Sequence, residues 1–143
     1  MKRAVVSALL LLAFAGCTKS IETDYAAPDL GIVLTAKDVT ASGMTVVCTQ
    51  SGGEVTGELN TGSWYRLESM DGKEPDHIID GEVGWDSIAY FVPMEDTVEW
   101  TVDWTWLYGE LPSGDYRLCK EFMDFRGAGD FDRTLAYAEF TIK

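Results

Sequence analysis

Histidine occurs once in these 143 residues, at position 77, and cysteine three times, at positions 17, 48 and 119. A zinc site needs several His or Cys ligands, and the chain does not carry them in any metal-binding spacing. Any Ser-His-Asp or Cys-His arrangement has to pass through His77. That residue follows Asp71-Gly72 and sits near Pro75 and Asp76 with no nucleophile elbow, so it reads as a surface-loop histidine. No glycine-rich phosphate loop opens a helix, and no dinucleotide fingerprint is present. The reading is therefore non-catalytic, with no cofactor. Positive charge is also scarce: 11 Lys and Arg stand against 24 Asp and Glu, for a formal net charge of -13. Such a chain repels phosphate backbones and anionic headgroups, so nucleic acid is not an expected partner. With this many acids, a close carboxylate pair carries no information about glycosidase chemistry. Helical periodicity extends no further than a turn or two, and no internal repeat or second domain is visible.

What remains is apolar and aromatic. Hydrophobic residues make up 46% and aromatics 12% of the chain, enough for a real core. The first apolar run, residues 4–15, follows Lys2-Arg3 and is broken only by Ser7. At about 1.5 Å per helical residue it is too short to span a hydrocarbon core of ~30 Å. It has the length and flanks of a secretory signal. Its end, Phe14-Ala15-Gly16-Cys17, resembles the bacterial lipobox. That resemblance implies cleavage before Cys17 and a diacylglyceryl group on its sulfur. Residues 1–16 are then a lipoprotein signal peptide and Cys17 a lipidation site. Buried acyl CH₂ groups contribute about 0.8 kcal/mol each, enough to hold an acidic domain on the extracytoplasmic face of the cell membrane. Cleavage removes Lys2 and Arg3 and no acid, leaving a charge of about -15 on the mature chain. Residues 17–29 read as the lipidated cysteine and a polar tether with a reach of at most ~3.5 Å per residue.

Residues 30–143 read as one all-β domain. In residues 97–106, Val98, Trp100, Val102, Trp104 and Trp106 alternate with Thr97, Glu99, Thr101, Asp103 and Thr105. Period two over this length is a strand with one buried face, so the tryptophans read as core. Leu107-Tyr108-Gly109 suggests a local turn in which Trp106 leaves the ladder. Shorter alternations occur at Ile32/Leu34/Ala36, Met44/Val46/Cys48, Tyr65/Leu67, Tyr116/Leu118 and Ala136/Ala138/Phe140/Ile142. Residues 88–92 form an apolar run stopped by Pro93. Turn signals such as Ser51-Gly52-Gly53, Asp71-Gly72, Pro112-Ser113-Gly114 and Gly127-Ala128-Gly129 separate them. About seven short strands punctuated in this way indicate a sandwich or barrel.

Several stretches resemble a family of bacterial immunoglobulin-like domains found in secreted and surface proteins. They include Thr49-Gln50-Ser51-Gly52-Gly53, Thr61-Gly62-Ser63-Trp64-Tyr65, Trp104-Thr105-Trp106-Leu107-Tyr108-Gly109 and Leu111-Pro112-Ser113-Gly114-Asp115-Tyr116-Arg117. The likeness covers nearly the whole domain from about residue 31. It implies a two-sheet antiparallel immunoglobulin-like β-sandwich and no reaction. It also implies a corner role for Tyr116, whose hydroxyl would reach back to a loop. Cys48 and Cys119 lie where such domains place an inter-sheet disulfide, and export would permit one. Parity opposes it: if Tyr116 and Leu118 face inward, Cys119 faces out, unless a bulge corrects the phase. A bridge and two unpaired thiols both remain open.

Two further constellations bear on binding. The loop bearing Asp124, Arg126, Asp130 and Asp132 can offer carboxylates to calcium, or Arg126 and Arg133 can neutralise those acids. Trp64 and Trp85, with Tyr90 or Phe131, can form an aromatic platform for sugars. The expected function is a membrane-anchored extracytoplasmic module for adhesion, scaffolding or protein binding. The alternatives are a carbohydrate-binding module using Trp64 and Trp85, and an envelope enzyme working through His77 or an acid pair.

Overall fold

A computed structural model describes residues 27–143. The signal segment 1–16, Cys17 and tether residues up to 26 lie outside the described residues. The strands are β1 (Ile32–Lys37), β2 (Gly43–Gln50), β3 (Glu58–Thr61), β4 (Arg66–Ser69), β5 (Tyr90–Phe91), β6 (Asp96–Asp103), β7 (Gly114–Gly127) and β8 (Asp130–Ile142). One helical turn, α1 (Thr105–Tyr108), follows β6. They form two antiparallel sheets, as expected.

The first sheet runs β1-β2-β6. Its register sets Leu34 against Cys48, Cys48 against Val98, and Val46 against Trp100, so the alternating apolar residues of all three strands share one face. The second sheet is organised by β7, long enough to pair with β8 along one side and with β4 and then β3 along the other. Tyr116, Leu118 and Phe122 of β7 turn inward beside Ala138, Phe140 and Ile142 of β8, and meet the first sheet in a single core. Trp104 is completely buried there, stacked on Phe140 at 5.3 Å, and its Nε1 donates to the Ala41 carbonyl at 2.8 Å. The Tyr116 hydroxyl donates to the Pro112 carbonyl at 2.9 Å, the corner contact that the resemblance implies.

Two sequence expectations are corrected. The tryptophan face is not uniformly core. Trp104 is enclosed and Trp100 is only half-buried, while Trp106 leaves the ladder at the expected turn and is carried to the surface by α1, 43% exposed. The apolar run at 88–92 yields only the two-residue strand β5, whose Tyr90 and Phe91 are exposed while Val92 alone is buried. The run is a sheet edge with one anchoring residue, and continuous hydrophobicity does not distinguish this from a buried strand.

The domain has two unlike ends. At one, Ile32, Gln50 and Asp96 lie side by side. There the chain approaches β1 through Gly31, whose φ of +66° suits glycine. A Cβ on Gly31 would stand 2.3 Å from the Ser51 carbonyl oxygen. At the other end lie Gly43, Asp103 and α1.

Candidate functional site

Strands β3 and β4 run in the same direction along β7, and residues 62–65 interrupt them. On β7 only Lys120 and Glu121 lie between the residues that pair with Arg66 and Thr61. Four residues therefore stand opposite two, and the extra chain bulges out of the ladder. Lys120 has the inward parity of Leu118 and Phe122, so its side chain enters the sandwich, where it is 7% exposed. Its Nζ donates to the Gly62 carbonyl at 2.6 Å and the Trp64 carbonyl at 3.4 Å, satisfying groups released from the sheet. It also lies 5.6 Å from the centre of the Trp100 ring.

A cleft of about 570 Å³ opens at this bulge, between β6 and residues 84–90, and reaches inward to Val46 and Leu118. Three tryptophans line it: Trp85, Trp100 and Trp106. Trp85 packs edge-on against Tyr65 at 5.2 Å and Trp106 at 5.4 Å, which fixes its orientation. It is delivered by the long irregular segment 70–89. That segment is pinned to α1 by the Tyr108 hydroxyl donating to Glu74 at 2.6 Å, by the His77 ring set edge-on to Tyr108 at 5.2 Å, and by the Ile78 amide donating to the Leu107 carbonyl at 2.8 Å.

The cleft has opposite charges at floor and rim. Burial lowers the Lys120 ammonium to about 8 from 10.5. Among the described residues it has no carboxylate partner, and its third N–H has no protein acceptor. The Ser63 hydroxyl also lines the cleft and is the one buried side-chain polar atom among the described residues without a hydrogen-bond partner. Asp86, Glu99 and Asp103 supply negative charge to the lining. Hydrogen bonds from the Thr105 hydroxyl and amide hold Asp103 below the usual carboxylate range. Glu99 meets Lys37 at 3.3 Å. The arrangement offers hydrogen-bond donors at depth and apolar walls above them, a pattern suited to holding one small group or ring.

The residues singled out from sequence are distributed differently. Trp85 lines the cleft, whereas Trp64 does not and contributes its carbonyl as an acceptor for Lys120. Tyr90 lines the cleft and Phe131 does not. The loop acids are brought together around Arg126. Its guanidinium donates to Asp130 at 2.8 Å, Asp132 at 2.9 Å and Asp124 at 3.1 Å, the arrangement in which arginine neutralises them. Burial tends to raise Asp124, but amide donors from Thr56 and Gly57, the Thr56 hydroxyl and Arg126 outweigh it and hold the carboxyl low. Among the described residues no group of three or more acids, His or Cys could hold a metal ion.

Cys48 and Cys119 are both buried and both free. Cys48 belongs to the core, where burial pushes its thiol up to about 11. Cys119 points to the outer face of the second sheet, as parity predicts, yet is not exposed there. It lies between Arg66 and Tyr137 in the ladder, beside the buried Glu68 that both Arg66 and Arg117 clamp. His77 lies on an exposed loop and serves as a pin.

Sequence reasoning passed over Lys120 and Ser63. The usable signal for Lys120 was its parity, since a residue two beyond Leu118 must share its face. Ser63 carried no such signal, because the bulge places it.

A family model described as a bacterial Ig-like domain matches residues 28–141. No curated protein and no solved structure matches the chain.

Proposed function

We propose, from the premise that the chain belongs to the family of bacterial Ig-like domains, that it is a non-catalytic, lipid-anchored extracytoplasmic module that binds its partner through the tryptophan-lined cleft. Domains of this kind occur typically in surface and extracellular proteins, which agrees with the export signal read in residues 1–16. Among the described residues no helix is long and apolar enough to cross a membrane. Attachment through acyl chains on Cys17 fits both facts.

The observation carrying the binding role is the cleft itself. Its aromatic walls are held in place by a long segment that no regular secondary structure requires, and such segments in small domains usually serve binding. The non-catalytic reading is supported by what surrounds the one buried hydroxyl. Ser63 is not hydrogen-bonded to Lys120 or to any other base, and His77 is engaged with Glu74.

The test is site-specific photo-crosslinking in the native cell. A photoreactive residue at Tyr90, on the cleft, should give discrete adducts. The same residue at Val33, exposed on β1 of the first sheet, should give none. Equal labelling at both positions would overturn the reading.

A further inference from the structure

A buried ammonium normally has a carboxylate beside it, because an unpaired charge in a low-dielectric interior is costly. Lys120 has none among the described residues, only two backbone carbonyls. These belong to Gly62 and Trp64, on either side of Ser63, whose own hydroxyl is buried and unpartnered. The spare N–H of Lys120 on β7 and the Ser63 hydroxyl on the bulge facing it, both lining the same cleft, match the two oxygens of one carboxylate. Above them the walls are Trp85, Trp100 and Trp106, which suit a ring.

We infer that the cleft binds a carboxylate carried on a ring, its oxygens held by Lys120 Nζ and Ser63 Oγ and its ring enclosed by Trp85, Trp100 and Trp106. This rests on the reading of the cleft as the binding site and specifies what enters it. The acidic residues Asp86, Glu99 and Asp103 also line the cleft, and the whole domain is negative. Repulsion from the rest of the domain is largely screened beyond about 8 Å at physiological salt, whereas the three lining carboxylates oppose the ligand at closer range. The attraction at the floor is short-range and shielded from solvent. Added salt therefore leaves the affinity undiminished, unlike adsorption to a surface charge.

The ring can come from a sugar acid or an aromatic acid, since both present an apolar face to an indole. The full-length chain is titrated with glucuronate and with phenylacetate, each beside its neutral amide, following tryptophan fluorescence and heat. One acid is expected to bind at least ten times more tightly than its amide, and the acid that does so identifies the source. Ser63→Ala should weaken that acid several-fold and leave the amide unchanged. Lys120→Met should abolish the preference. Because that variant alters a buried position, Ser63→Ala carries the test if Lys120→Met fails to fold. Equal binding of acid and amide would overturn the carboxylate assignment while leaving the cleft a binding site. So would failure of both acids while Tyr90 crosslinking in cells succeeds. Loss of the crosslink instead removes the underlying reading.

Discussion

Lys120 keeps a charge inside a β-sandwich, and its protonation is coupled to folding. Its folded value of about 8 lies below the ordinary 10.5, so between those values the unfolded chain binds more protons than the folded one. The buried charge destabilises the fold fully below pH 8, and this penalty is relieved as pH rises through the window. Cys48 opposes this above its ordinary value of 9, since burial raises its thiol to about 11. Cys119 is also raised, chiefly by burial, and acts in the same direction. Comparison with Lys120→Met at matched pH removes the thiol contributions except for the part by which Lys120 itself lowers Cys48. Urea unfolding should show the stability of the wild type gaining about 1 kcal/mol on the variant between about pH 7.5 and about pH 9. A constant difference would mean that Lys120 is solvated. The inward parity that places this lysine was legible in β7: Tyr116, Leu118, Lys120 and Phe122 share one phase. The carbonyls it satisfies were not legible, because nothing in Thr61-Gly62-Ser63-Trp64-Tyr65 shows that the strand breaks there instead of continuing.

Strands β1, β2, β6 and β8 could be read from their alternation because each packs one face on the core and shows the other to water. The short strands were harder. β5 is anchored by Val92 alone, and β3 and β4 are defined by the partner they share more than by their own pattern. The end of β6 was read correctly as a turn at Leu107-Tyr108-Gly109, and α1 is the result. Its consequence for Trp106 depends on the segment 70–89, a tertiary contact that periodicity does not encode. Glu74 joins that segment to α1 by accepting from the Tyr108 hydroxyl. Glu74→Ala should accelerate hydrogen exchange at the Ile78 amide by about fivefold, the loss of about 1 kcal/mol of local protection, while amides in the centre of β7 stay unchanged. Uniform acceleration would show that the pin supports the entire fold; no change would show that Glu74 does not hold the segment.

For the entire chain, the acidic surface and the proposed acyl anchor act in opposition. A domain with more than twice as many acids as bases does not adsorb to anionic lipid, so under the proposed anchoring retention at the membrane would depend on Cys17 alone. Cys17→Ser should move the protein from the membrane fraction to the soluble extracytoplasmic fraction, checked by fractionation and by the mass of the N-terminal peptide. Persistence of the serine variant in the membrane would require another attachment. The unlike ends of the sandwich then acquire a mechanical meaning. The chain arrives beside Gln50 and Asp96, whereas the cleft is built toward Asp103 and α1. Tension between a membrane-bound tether and a partner seated in the cleft would be directed along β1 and β6. The hydrogen bonds joining β1 to β2 would be loaded in shear and share the force, instead of opening one after another like a zip.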